Sequence, residues 1–132
     1  MAEITKVNTP SITTVLPASN DKISGLLAGE ALTVGAACYI KSDGKVWLST
    51  GAAANAAAKV DGYCMVGAAA GDAVTLVWNV NVQYGTGLTP GARVFLSGTV
   101  PGGLADAAST GGTAPIGFVV DATRIRLLQS RY

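Results

Sequence analysis

The sequence predicts an all-β protein: a compact small β-barrel or sandwich built from two related β-hairpin halves, with an extended N-terminal arm. Three observations predict it. Apolar residues alternate at Val74, Leu76, Trp78, Val80, Val82 and Tyr84, and a period of two marks a half-buried strand rather than a helix. Asp43-Gly44 stands between short apolar runs, a strong hairpin signal. Finally, the stretch LTVGAACYI at residues 32–40 returns as LTPGARVFL at residues 88–96.

The repeat extends beyond those nine residues. At an offset of 56, Leu32/Leu88, Thr33/Thr89, Gly35/Gly91 and Ala36/Ala92 are identical, and Leu48 falls opposite Leu104. The match continues at 55 with Gly62/Gly117, Tyr63/Phe118, Cys64/Val119 and Met65/Val120, and ends at 51 with Val74/Ile125 and Leu76/Leu127. The gaps fall where loops are expected. Two units spanning about 32–79 and 88–128 are too few and too long for a solenoid. A chain of 132 residues suits one domain and can bury roughly two-thirds of its unfolded surface. The copies therefore read as halves of a single β domain, residues 25–132.

Each half follows the same order. Leu-Thr-x-Gly makes a turn, and a strand follows at 37–41 or 93–97. A return strand comes after SDGK or SGTVPGG, then a Gly-aromatic strand (GYCMVG or GFVVD), then a closing strand (AVTLVWNVNVQY or TRIRLLQS). Propensity alone favours a helix in AAANAAAK at residues 52–59. Its counterpart AASTGGTAP cannot be a regular helix, and eight residues are too few for a stable isolated one. An extended loop or a single turn is expected. Residues 1–24 stand outside the repeat, with Pro10, Pro17 and many Thr, Ser and Asn. They read as an extended arm, and the β-branched stretch SITTVL suits strand addition to another chain.

Charge narrows the partners. Charged residues make up 13% of the chain and the net charge is +1, which offers no basic face for nucleic acid and no polybasic handle for a membrane. So few charges suit a surface partly covered by neighbours in an assembly. No export leader and no apolar run of spanning length is visible, so synthesis in the cytoplasm is the expectation.

The sequence offers no catalytic, cofactor-binding or metal-binding residues. There is no His, which removes Ser-His and Cys-His nucleophiles and most zinc sites. Acids such as Asp43 and Asp61 precede Gly, where Asp serves turns. GTGLTPG lacks the dinucleotide spacing and is followed by a strand, while GAAAGDAV lacks the Lys-Ser/Thr of a phosphate loop. Cys38 and Cys64 align with Val94 and Val119, so they read as small core hydrophobes. Trp47, Trp78 and Tyr84 read as core or interface residues, with a sugar-stacking platform as the rival. Lys45 beside Asp43-Gly44 is placed like the modified lysine of a biotinyl or lipoyl carrier, but its flanks do not match. No enzyme is expected.

The ordered series GLLAGEALTVGAACYIKSDGKVWLST, GYCMVGAAAGDAVTLV, LTPGARVFLS and IGFVVDATRIRLL resembles the capsid decoration, or head cement, proteins of tailed bacteriophages. The resemblance covers roughly residues 25 to 128. It implies a compact β domain, commonly a homotrimer, on the exterior of the capsid. There it would clamp major capsid protein subunits and resist the pressure of packaged DNA. It also implies an arm that adds a strand to a capsid-protein sheet, for which Ile4, Thr5, Val7, Ile12, Thr13 and Val15 are the candidates. The alternative is a glycan-binding tail or fibre component of the virion.

Overall fold

The structure, a computed structural model, describes residues 3–12 and 21–130. Its strands are β1 (Ser11–Ile12), β2 (Lys22–Leu27), β3 (Ala36–Ile40), β4 (Val46–Leu48), β5 (Gly62–Cys64), β6 (Ala73–Val77), β7 (Val80–Gln83), β8 (Arg93–Leu96), β9 (Leu104–Ala105), β10 (Gly117–Val119) and β11 (Arg124–Leu127). They build two antiparallel sheets, one curled into a half-barrel. The first has the order β2-β6-β5-β3-β4 and the second β1-β7-β11-β10-β8-β9. The all-β prediction holds, and the repeated sequence is a repeated topology. The series β2-β6-β5-β3-β4 and β7-β11-β10-β8-β9 are the same five-strand arrangement, with β1 added at the edge of the second.

Pairing registers define which residues correspond. Cys38 faces Gly62 on β5, and Val94 faces Gly117 on β10, as the sequence match requires. Two other matches shift. Ile40 pairs with Val46, and its counterpart Leu96 pairs with Leu104. Val46, not Leu48, is therefore the equivalent of Leu104. Likewise Cys64 pairs with Leu76 and Val119 with Ile125, so Leu76 corresponds to Ile125 rather than to Leu127. Each correction is a slip of two residues, which leaves every side chain on its original face. A period-two pattern is blind to such a slip; hairpin length decides it.

Two further boundaries differ from expectation. Residues 74–84 read as one alternating strand, but Asn79 has φ 55 and breaks it into β6 and β7, which lie in different sheets. Asn tolerates the left-handed region better than most residues. The expected arm boundary at residue 24 falls inside β2, which pairs with β6 and belongs to the first half. A one-residue bulge between Ile23 and Leu26, with Gly25 at φ 77, interrupts its alternation and hides it as a strand. In the stretch 52–59 the chain makes a single 3-10 turn, Ala56–Ala58, capped by the Asn55 side chain, which accepts from Ala57 N at 2.9 Å.

The Leu-Thr-x-Gly turns superimpose in detail. Gly35 and Gly91 have φ 81 and 83. Gly35 N donates to Cys64 O at 2.7 Å and Gly91 N to Val119 O at 2.8 Å. Ala36 N and Ala92 N each donate to the Thr three residues before, at 3.2 Å.

The core has two compartments. The larger holds Val80, Val82, Val94, Leu96, Val119, Ile125 and Leu127 from the six-stranded sheet against Ala37, Tyr63 and Val77 from the five-stranded sheet. The smaller lies on the other face of the five-stranded sheet, around Leu32, Ala36, Cys38, Val46, Cys64, Val74 and Leu76. The first half thus buries both faces of its sheet. The second buries one and turns the other outward.

Candidate partner-binding surfaces

The arm is laid along its own domain. Glu3 bridges Ala105, Ile4 N donates to Leu104 O at 3.0 Å, and Val7 N donates to Tyr84 O at 2.7 Å. In β1, Ser11 and Ile12 pair with Gln83 and Val82 at the edge of β7. Ile4 and Ile12 pack on the larger core, and Pro10 is buried. Between them the Lys6 ammonium donates to Val34 O at 2.7 Å and Thr33 Oγ1 at 3.4 Å. Burial there lowers its pKa from the usual lysine value. The Glu3 carboxylate accepts from Ser97 Oγ, which also accepts from Thr99 N at 3.2 Å and Val100 N at 3.1 Å.

Of the six candidate arm residues, the structure brings Ile4, Thr5, Val7 and Ile12 together on one strap across the second half. Thr5 is exposed and lines a groove of about 370 Å³ with Glu3, Leu88, Arg93 and Asp106. Thr13 and Val15 lie outside the described residues. The β-branched composition pointed to strand addition to another chain; in the structure the described arm residues pair with β7 and β9 of their own domain.

The aromatic candidates are occupied by the protein itself. Tyr84 is buried, and burial raises its phenol above the usual range, with Glu3 adding to the effect. Trp47 sits against Gly29 with no room for a Cβ between them, donates from Nε1 to Asp43 at 3.2 Å, and carries the Lys41 ammonium 4.4 Å from its ring centroid. Trp78 is half-buried. Among the described residues the large exposed aromatic is Phe118, which the sequence marks only as a strand residue.

Both thiols are free and buried. Desolvation raises Cys38 and Cys64 above the ordinary thiol value, which keeps them protonated and unreactive. Among the described residues no three His, Cys, Asp or Glu side chains come together as a metal site. What the surface presents is sheet face and strapped arm. Comparison of the chain with protein-family models, with curated proteins and with solved structures finds no match.

Proposed function

We propose that the protein decorates the head of a tailed bacteriophage, binding the major capsid protein from outside as a homo-oligomer and stabilising the lattice against internal pressure. The sequence pattern of residues 25 to 128 carries this reading. The geometry supports it in two ways. Packing two five-strand units face to face across a shared core compartment gives a stiff body, and a cement acts through stiffness and contact area. Repetition on a lattice would also multiply weak contacts into firm attachment.

The strapped arm modifies how such attachment would work. To add a strand to a capsid sheet, residues 3–12 must first leave the edges of β7 and β9 and break their bonds to Leu104 and Tyr84. The arm would then act as an exchangeable strand whose bonds on the domain are replaced by bonds on the lattice.

The test is a count of this chain against the major capsid protein in purified virions, by quantitative mass spectrometry. Copies of the same order as the capsid protein are expected. A few copies per particle would move the protein to a vertex or tail, and absence would overturn the virion role.

A further inference from the structure

The outward face of the six-stranded sheet carries a row of directly opposed residues: Arg93 on β8, Phe118 on β10, Arg126 on β11 and Asn81 on β7. By pairing register, this row corresponds to Ala37, Tyr63, Val77 and Lys22 in the first half. There the first three are buried and form the seam between the halves. In the second half no sheet of the described residues packs on the same face: Arg126 and Asn81 are half-buried, Arg93 is exposed and Phe118 is 44% exposed.

The chemistry of the row has changed along with its exposure. Arginines stand where the covered row has Ala37 and Val77. Neither Arg93 nor Arg126 has a carboxylate partner among the described residues, whereas the neighbouring Arg124 is held by Asp121 at 2.7 Å. Arg126 Nη1 donates to the neutral Asn81 Oδ1 at 3.2 Å. The cation–π contact found among the described residues is Lys41 over Trp47, so neither guanidinium closes over the Phe118 ring. Strand spacing sets the two arginines about 10 Å apart across β10.

We propose that this row is a docking surface for an acidic protein face, one that offers carboxylates about 10 Å apart with an apolar contact between them. Guanidinium forks match carboxylates bidentately. An apolar ring between them would exclude water and strengthen both pairs. Nucleic acid fits less well, because two arginines on a chain of net charge +1 neutralise few phosphates. The identity of the partner as the major capsid protein rests on the proposed lattice role.

The experiment titrates purified protein onto expanded capsids lacking it, at about 0.15 M salt, where exposed charges beyond some 8 Å are screened. Arg93→Glu/Arg126→Glu should weaken occupancy at least ten-fold, Phe118→Ala several-fold, and Arg93→Lys/Arg126→Lys less than the reversal. Thermal melting checks each fold, and Arg93→Gln/Arg126→Gln replaces the reversal should that variant not fold. Full occupancy by a folded charge variant overturns the docking row and leaves the lattice role standing. No binding by the unaltered protein overturns both. Binding of a single-stranded oligonucleotide that the reversal abolishes overturns the acidic-protein assignment. So does a reversal that merely converts an oligomer to monomer.

Discussion

Tyr63 and Phe118 hold the same place in the two halves, yet Tyr63 is fully buried at the seam and Phe118 is 44% exposed. The Tyr63 hydroxyl lies 3.0 Å from the carbonyls of both Ile116 and Leu128, and its proton is shared between them. One aromatic position thus became a joint between the halves and the other an outward face. Tyr63→Phe should cost about 1 kcal/mol, the worth of one hydrogen bond, since Ile116 O still accepts from Leu128 N at 3.0 Å. Phe118→Ala should cost no more than about 1 kcal/mol, the span of strand propensity. Urea unfolding measures both; a larger loss for Phe118→Ala than for Tyr63→Phe would contradict the assigned asymmetry.

The turn glycines give a paired test. An L residue in the left-handed region costs roughly 1–2 kcal/mol, and Gly91→Val should show about that loss or more, because its surroundings are open and strain is the main effect. At Gly35 an added Cβ would also lie 3.0 Å from Pro10 Cγ. Gly35→Val should therefore destabilise more than Gly91→Val and loosen the arm. Proteolysis of the N-terminus alongside thermal melting separates the two effects. An unchanged melt for Gly91→Val would count against equivalent turns.

Cys38 and Cys64 correspond to Val94 and Val119, so Cys38→Val/Cys64→Val should keep the fold near neutrality, within about 1.5 kcal/mol for a volume-conserving apolar exchange. The pH dependence should change. Both thiols have folded pKa values raised above 9.0, chiefly by desolvation. The stability tied to them is complete below that value and is lost as the pH rises from it toward the folded values, because only the unfolded chain releases its protons there. The double variant should lose less stability than the parent between pH 9 and 11. Parallel curves would show that the thiols do not drive the alkaline limb. Native protein should also leave both thiols unmodified by an aromatic disulfide reagent at pH 8.

Deleting residues 2–12 tests the strap. It removes backbone bonds to Leu104 and Tyr84 and uncovers the apolar contacts of Ile4 and Ile12. At about 1 kcal/mol per hydrogen bond and with the partial burial of two isoleucines, a loss of about 2–4 kcal/mol is expected, with the domain still folded. Far-ultraviolet circular dichroism and denaturant titration report it. No loss would mean that the strap contributes little in solution.

Much was legible without coordinates. Alternation located β6, β7 and β11, the Asp43-Gly44 turn placed the β3–β4 hairpin, and the duplicated LTxGA stretch announced two equivalent units. These signals are local, or compare one local pattern with another. The strand β2 stayed hidden because its bulge breaks the period of two. The join at Asn79 stayed hidden because alternation runs unbroken through it; its cue was an Asn within an otherwise apolar-alternating run.

Tertiary structure alone decided the rest. A two-residue slip keeps every side chain on its face, so only the hairpins and their hydrogen bonds could pair Val46 with the place of Leu104 and Leu76 with that of Ile125. The sequence marked residues 1–24 as an extended arm suited to strand pairing, but the edges of β7 and β9 determined where residues 3–12 lie. It also determined that Tyr63 and Phe118 are equivalent. Which of them is covered depends on how two sheets stack, and one face of a two-sheet body must remain outside. The residues beside Phe118 record that outcome, with arginine in the places where the buried counterpart has alanine and valine.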